Sequence, residues 1–157
     1  YKTDALVADE SDFTSQFDES EIVSVKAATA PIGESGAKFK GATVRFDSLN
    51  YLRFDFFIGN ASLDEITVTI ENATFTSEDF IDNGNGTYSV YSDEISAVEF
   101  GKAFTASFLI SGETVHTATY SVNSYVKSMY QSENMGALTK AIYLYGKASA
   151  ALWSLYN

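Results

Sequence analysis

The sequence predicts a mainly β chain with α-helices at its end: an antiparallel, Ig-like β-sandwich of about seven or eight strands, followed by two packed C-terminal helices. Two observations lead to this fold class. From about Ile22, short segments rich in Val, Thr, Phe and Tyr are separated by Gly, Asn, Asp and Ser at roughly ten-residue spacing, which is typical of sandwiches and barrels. After Tyr120, the apolar spacing changes to that of an amphipathic helix.

We expect the 157 residues to divide into three parts. Residues 1–21 hold seven acids and one base, which indicates an acidic linker or arm. Residues 22–121 form the predicted sandwich, and residues 122–157 form a two-helix cap. The first 121 residues carry 20 acids and 7 bases, whereas the cap carries one acid and three bases. These opposite charges favour helices that pack on the sandwich over helices that stand free of it.

The clearest strand pair lies at 42–48 and 52–58, where apolar residues alternate with charged ones. Such alternation is typical of strands with one buried and one exposed face. If residues 49–51 form the turn, two opposite-charge pairs face each other across the strands, Arg45 with Asp55 and Asp47 with Arg53. We therefore expect this register, with Phe46, Phe54 and Phe56 on the core face.

The remaining elements follow from the same periodicities. Strands are predicted at 22–28, 65–71, 73–76, 87–92, 103–110 and 114–122. The first helix begins near Val122, and the second is about twenty residues long by its apolar period. The predicted packing face of this second helix contains Leu138, Ile142, Tyr145, Ser149, Leu152 and Tyr156. Gly146 indicates a small-residue face on which the helix backbone closely approaches the sheet.

Composition excludes several classes of function. A net charge of −11 repels phosphate backbones and anionic membranes, so we expect no nucleic-acid partner. The absence of cysteine removes disulfides and thiolate chemistry. No apolar run reaches the length of a membrane span, so we expect no membrane insertion. Because the chain begins at Tyr1 and not at Met, we expect it to be a processed or excised part of a longer protein.

Residues capable of catalysis or metal binding are few. His116 is the single histidine, and neither a nucleophile motif nor a zincin, P-loop or Rossmann pattern is present. Residues 82–86 resemble a calcium loop, but the EF-hand register fails because Ile81 would occupy its first position. A turn is the favoured interpretation there. We expect a protein that is not an enzyme and that has no cofactor and no metal site, although a structural calcium elsewhere stays open.

Aromatic and polar side chains on one strand suggest a ligand-binding surface. Tyr51, Arg53, Asp55 and Phe57 all fall on the side of their strand away from the core. Sugar rings stack on aromatic faces while charged groups bond their hydroxyls, so these four are the candidate binding residues. The alternative is that the C-terminal helices cover this surface and Phe57 belongs to a second core. Weaker candidates are Tyr88, Tyr91, Trp153 and Tyr156.

Three stretches of the chain resemble a known module. They are GTYSVY (86–91) with EISAVE (94–99), TYSVNSYV (119–126) and LTKAIYLYGKASA (138–150). The module is a C-terminal β-sandwich-plus-helices accessory domain of secreted glycoside hydrolases and cell-surface proteins of anaerobic gut Firmicutes. The matching positions are Tyr120, Tyr125, Tyr145, Gly146 and Ala148, whereas Lys147, Ser149 and Ala151 depart from the family's usual Ala and Gln. The resemblance covers roughly residues 40–155.

The resemblance implies an extracellular or cell-surface location and an accessory role in polysaccharide degradation. Together with the aromatic content, it leads to the expectation of a non-catalytic carbohydrate-binding module whose partners are plant polysaccharide and neighbouring domains of a larger secreted protein. The alternative is a structural, cell-surface or scaffold-associated spacer module with no sugar ligand. The family's matching residues explain the fold and supply no binding site.

Overall fold

The computed structural model describes residues 15–157, so most of the predicted acidic arm lies outside the described residues. The described part of the chain contains nine strands and two α-helices. The strands are β1 (Ala27–Ala28), β2 (Lys38–Phe46), β3 (Asn50–Phe57), β4 (Ile66–Ile70), β5 (Ala73–Phe75), β6 (Ile81–Asp82), β7 (Thr87–Tyr91), β8 (Phe104–Ile110) and β9 (Glu113–Tyr120). The helices are α1 (Val122–Met129) and α2 (Gly136–Tyr156).

The strands form two antiparallel sheets. The five-stranded sheet has the order β1-β9-β8-β4-β5, and the four-stranded sheet has the order β2-β3-β7-β6. The predicted fold class, a β-sandwich followed by two C-terminal helices, is thereby confirmed. The sequence prediction missed β6, because two residues are too few to establish an alternating pattern.

Alternate residues of the central strands form the core between the sheets. Phe54 and Phe56 of β3 are fully buried, as are Val68 of β4 and Phe108 of β8. The rings of Phe56 and Phe108 meet edge to face, with centroids 5.3 Å apart. Burial of each such side chain contributes about 1.5–3 kcal/mol, so these central strands supply much of the driving force for folding.

The β2–β3 hairpin has a different register from the predicted one. Arg45 lies opposite Tyr51, and Arg53 lies opposite Thr43, so the predicted cross-strand ion pairs are wrong. The centre of the turn lies two residues earlier than predicted. Because side chains alternate between the faces with a period of two, this displacement leaves every side chain on its expected face. Each arginine instead pairs along its own chain segment, Arg45 with Asp47 at 3.2 Å and Arg53 with Asp55 at 2.7 Å.

The N-terminal part of the described chain is only briefly a strand. The predicted strand at 22–28 is wrong in extent, since within that range only Ala27 and Ala28 pair with β9. Ile22 packs instead in a small hydrophobic cluster with Val126 and Tyr143 of the helices. As a result, residues 15–21 lie against the helices and not at the edge of the sheet.

α1 begins directly after β9, and both a capping hydrogen bond and buried side chains hold it in place. The Ser121 hydroxyl caps its first turn by accepting a hydrogen bond from the Ser124 N–H at 3.0 Å. Val122 and Val126, one helical turn apart, are fully buried. Ring contact between Tyr125 and Phe46 joins α1 to the end of β2, with centroids 5.9 Å apart.

α2 packs through a different face from the predicted one. Leu138 and Tyr145, both placed in the packing face by the sequence, are 49% and 60% exposed. The buried positions are instead Gly136, Thr139, Tyr143, Leu144 and Gly146. The close approach expected at Gly146 is present, but its partner is Phe100 in the segment before β8 and not a sheet strand. None of the described helices is long and apolar enough to cross a membrane.

Acidic residues before the sandwich contact the basic helices. The Glu21 carboxylate forms an ion pair with Lys147, which raises the pKa of that lysine. Lys127 Nζ donates to the Glu19 carbonyl oxygen at 3.0 Å, and the Tyr130 hydroxyl donates to the Glu19 carboxylate. The charge complementarity of the helical cap is thus met by this short segment, whereas the sequence prediction assigned it to the sandwich.

Candidate functional site

The four candidate residues lie on one exposed side of β3. Their neighbours along the strand, Leu52, Phe54 and Phe56, are completely buried, and this alternation directs Tyr51, Arg53, Asp55 and Phe57 away from the core. All four are half-buried. Together with Tyr91 of the adjacent strand β7, these residues are called the outer face below.

Strand pairing determines which side chains flank these residues. β3 lies between β2 and β7, with Arg53 opposite Tyr91 and Asp55 opposite Ser89. On the other side, Thr43 lies opposite Arg53 and Gly41 opposite Asp55. The small residues of β2 leave space beside the charged pair, so the middle of the outer face is open on that side.

A hydrogen-bond network fixes the charged pair in the middle of the outer face. Arg53 Nε donates to Asp55 Oδ1 at 2.7 Å and to Ser89 Oγ at 3.0 Å. Ser89 Oγ in turn donates to Asp55 Oδ1 at 2.5 Å. Asn83 Nδ2 donates to Ser89 Oγ at 2.6 Å, and Asn83 Oδ1 accepts from Arg53 Nη2 at 3.4 Å. The hydrogen bond that Arg53 donates to Asp55 raises the pKa of Arg53 above its usual value.

This network leaves one polar atom of each charged side chain outside it. Asp55 Oδ2 and Arg53 Nη1 take no part in the bonds just described. The two side chains are 27% and 32% exposed, so these atoms can meet a ligand. A carboxylate oxygen accepts and a guanidinium nitrogen donates, and adjacent sugar hydroxyls offer both complements.

Two tyrosines form one end of the outer face. Tyr51 and Tyr91 meet edge to face, with ring centroids 6.3 Å apart. The guanidinium carbon of Arg45 lies 5.5 Å from the Tyr91 centroid, and a hydrogen bond with Tyr91 raises the pKa of this arginine. An open depression of about 330 Å³ lies here, lined by Arg45, Asp47, Ser48, Tyr51 and Tyr91. Its volume falls at the low end of the range for small-ligand sites.

Phe57 forms the opposite end. A β-bulge between Phe39 and Gly41 interrupts the β2–β3 pairing, and Lys40 Nζ lies 5.7 Å from the Phe57 ring centroid. Phe57 lies six residue steps along the extended strand from Tyr51, which is about 20 Å. The outer face therefore has an aromatic group at each end and a charged pair between them.

The two helices make their main contacts elsewhere on the molecule. They do not cover Phe57 as the alternative interpretation expected. α2 contacts α1 and the segment Ala97–Glu99, and α1 contacts β2. The outer face is left partly open to solvent.

Of the weaker aromatic candidates, Tyr88 stacks on Phe56 beside the core, with centroids 6.0 Å apart. Trp153 and Tyr156 are exposed on α2 and remote in sequence from the outer face. Only Tyr91 joins the four predicted residues.

The contacts of His116 are those of a buried residue that stabilises the fold. It is 6% exposed, and its Nδ1 accepts a hydrogen bond from the Phe39 backbone N–H at 2.8 Å. Burial lowers its pKa, so the ring is neutral at neutral pH. A nitrogen already engaged by the backbone is poorly placed to accept a proton from a substrate.

The loop after β6 is a turn, as predicted. Asp82 Oδ1 accepts the Gly84 N–H at 2.8 Å, and Asn85 and Gly86 both have positive φ. Within residues 15–157, no group of three or more His, Asp or Glu side chains is arranged to hold a metal ion.

Sequence reasoning missed Ser89 and Asn83, which fix the charged pair. Both lie more than 25 residues beyond β3, and only the β3–β7 pairing brings them to it. The spacing of Thr87, Ser89 and Tyr91 at every second position shows that they share a face. It does not show which strand they border.

Comparisons with known proteins give no relative. No protein-family model matches the chain, and no significant match is found among the curated proteins or the solved structures.

Proposed function

We propose that the chain is a non-catalytic, extracellular accessory module that binds carbohydrate through its outer face. The observation that carries the proposal is the arrangement on β3: aromatic rings at both ends and a solvent-accessible Arg53–Asp55 pair between them. The extracellular location and the polysaccharide ligand draw their support from the resemblance to accessory modules of secreted glycoside hydrolases.

The chemistry of the outer face suits a sugar chain. The C–H faces of sugar rings pack on aromatic side chains, so Tyr51 and Phe57 each offer a stacking surface. Asp55 Oδ2 and Arg53 Nη1 can bond hydroxyls of a sugar lying between the two aromatic ends. The distance of about 20 Å between the two ends favours an oligosaccharide over a monosaccharide.

Preorganisation supports the same function. Ser89 and Asn83 hold Arg53 and Asp55 in place, so little side-chain entropy is lost when a ligand bonds to them. The site also lies on a sheet and not on loops. The buried residues Leu52, Phe54 and Phe56, which alternate with the site residues, fix the spacing of the rings.

Affinity electrophoresis on soluble cellulose, xylan, mannan and starch derivatives, guided by a carbohydrate array, tests the proposal. The wild-type chain is expected to be retarded by at least one of these polymers. Tyr51→Ala and Phe57→Ala are each expected to weaken binding roughly tenfold, which corresponds to about 1.4 kcal/mol. The matched controls Tyr51→Phe and Phe57→Tyr keep the rings and are expected to retain binding.

Two results would contradict the proposal. If no polymer retards the wild-type chain, the spacer alternative takes its place. A spacer is expected to raise the melting temperature of a fused neighbouring domain. If binding occurs but both alanine variants leave it intact, the ligand binds elsewhere on the molecule.

A further inference from the structure

α2 carries an apolar stripe that the rest of residues 15–157 leaves largely exposed. The stripe follows the four-three spacing of the a and d positions of a coiled coil. Its members are Leu138, Ile142, Tyr145, Ser149, Leu152 and Tyr156. Leu152 is 58% exposed and Tyr156 is 80% exposed, and Leu138 and Tyr145 are also largely exposed. Ile142 and Ser149 are half-buried. Ile142 packs partly against both hydrophobic clusters, and the Tyr145 ring meets Phe100 edge to face with centroids 6.5 Å apart, so the middle of the stripe is partly docked and its two ends are free.

The side of the helix that adjoins the stripe is occupied. Thr139, Tyr143 and Gly146 are buried against the rest of the domain. The two charged residues of α2 also lie on this side, since Lys147 pairs with Glu21 and the ammonium group of Lys140 lies 5.6 Å from the Phe17 ring centroid. The exposed members of the stripe therefore face solvent, while Thr139 and Gly146 at its border face the protein.

The end of α2 projects beyond the domain. Residues 150–157 are all exposed, including Trp153 at 60% and Leu155 at 78%. A helix end that is apolar on every side normally packs against another element. Its first half is therefore docked and its second half lacks a neighbour among the described residues.

The stripe and its borders carry no charge. The flanking positions on one side are Thr139, Gly146 and Trp153, and those on the other side are Ala141, Ala148 and Leu155. A charged partner would find no complementary charge on this surface. Two copies of the stripe, by contrast, would meet without repulsion between like charges. The occupant that fits an uncharged, self-similar stripe is a second copy.

Antiparallel pairing of two stripes matches large side chains to compatible ones. With the two-fold axis at residue 147, Tyr156 meets Leu138 of the other copy and Leu152 meets its Ile142. The largest central side chain, Tyr145, then meets the smallest, Ser149. A parallel pair would instead stack Tyr145 on itself and Ser149 on itself, so the antiparallel register packs better.

Antiparallel pairing also accounts for the projecting end. The free second half of each helix lies along the docked first half of the other, as an isologous two-fold interface requires. The exposed parts of Leu138, Tyr145, Leu152, Trp153 and Tyr156 amount to about 600 Å² per copy, close to the ~800 Å² per partner of a standard interface. This is also at the top of the range for the largest apolar patch of a monomer, roughly 300–600 Å².

We propose that two copies of this chain form a homodimer through antiparallel contact of their α2 stripes. This pairing uses neither β3 nor β7, so it is independent of carbohydrate binding. The first test is the mass of the wild-type chain by light scattering or sedimentation across a concentration series. A dimer that dissociates on dilution is expected, and a monomer at every concentration would assign the stripe to another partner, such as an adjoining domain, and overturn the proposal.

Charge placed in the stripe separates this interface from others. Leu152→Glu is expected to abolish the dimer, because a carboxylate would be buried opposite Ile142. Ala151→Glu introduces the same charge one residue away, off the stripe, and is expected to leave the dimer intact. Both positions are exposed in the single chain, so neither variant should unfold it. A dimer that survives Leu152→Glu forms through a different surface.

Introduced cysteines test the register, since the native chain has none. A mixture of Leu138→Cys and Tyr156→Cys chains is expected to give a covalent dimer on mild oxidation, because these positions face each other in the antiparallel pair. Each variant alone is expected to remain uncrosslinked. Self-crosslinking of the separate variants would show parallel pairing, and no crosslink in a persisting dimer would show another geometry; either result overturns the proposal.

Discussion

His116 joins the two sheets of the sandwich. It lies on β9 of the five-stranded sheet and accepts the Phe39 N–H of β2, in the four-stranded sheet, at 2.8 Å. Burial lowers its pKa in the folded state, so below about pH 6.5 the unfolded chain binds more protons than the folded one. We expect the free energy of unfolding to fall as the pH decreases below this value.

Comparison of two variants isolates this contribution. His116→Asn keeps an acceptor for the Phe39 N–H but does not titrate, so its free energy of unfolding should fall less steeply than that of the wild type between pH 7 and 5. His116→Leu leaves the buried N–H unpaired and is expected to cost about 1–3 kcal/mol at neutral pH. Denaturant unfolding at several pH values measures both. Equal pH slopes for wild type and His116→Asn would contradict the expectation.

Single residues show where sequence reasoning reaches its limit. The side of β3 on which Arg53 and Asp55 lie was predictable, because the alternation with buried phenylalanines has a period of two. The residues with which they form ion pairs were not predictable. Opposite charges at positions two apart on one strand also share a face, so Arg53 can reach Asp55 directly without any cross-strand neighbour. The charge pattern therefore fits several registers equally well.

At the scale of the element, Gly146 determines how closely α2 can approach Phe100. A Cβ added at this position would lie 2.8 Å from Phe100 Cδ2 and 3.0 Å from its Cβ. Gly146→Ala gains about 1 kcal/mol of helix propensity, but overpacking typically costs about 1–3 kcal/mol. Because Phe100 Cβ cannot move without its backbone, we expect a net loss of stability.

Two further variants distinguish overpacking from helix propensity. Ala151→Gly, at an exposed position of α2 off the stripe, measures the propensity contribution alone, which is about 1 kcal/mol. Phe100→Leu in the Gly146→Ala background should recover part of the loss, and the double-mutant cycle gives the coupling between the two positions. Chemical denaturation is the measurement. A Gly146→Ala chain more stable than the wild type would show that Phe100 yields without cost.

The orientation of α2 was beyond prediction from the sequence for a physical reason. The helix has two apolar sides, one with Leu138 and Tyr145 and another with Tyr143 and Leu144, so its periodicity does not identify the docked side. The helix docks through the side with Thr139 and Gly146, where small residues permit close packing. The presence and length of the helix, by contrast, followed from its period alone.

For the whole molecule, local patterns predicted the architecture and long-range pairing assembled the candidate site. Strands, turns and two C-terminal helices are each visible in segments of ten to twenty residues. The partners of Arg53 are contributed by β7 and the loop before it, some thirty residues along the chain. No local pattern shows that β3 borders β7, so Ser89 and Asn83 could be assigned only from the sheet order.

The whole molecule exposes two surfaces of different chemistry. The outer face combines rings with a preorganised charged pair, and the α2 stripe is apolar and uncharged. The first lies on β3 and β7 and the second on α2, so ligand binding and self-association can be altered by separate substitutions. A dimer would carry two outer faces and could bind one polysaccharide at two places, with the gain in avidity expected of a bivalent binder.

The most direct test of carbohydrate binding by the outer face is an NMR titration of the isotope-labelled chain with an oligosaccharide of the polymer that retards it. We expect amide shifts to change at Tyr51, Arg53, Asp55, Phe57 and Tyr91 and to saturate with one ligand per chain. The shifts of β4, β8 and α2 should stay unchanged. Saturable changes confined to residues outside the outer face, or no changes with any soluble glycan, would contradict the proposed site and function.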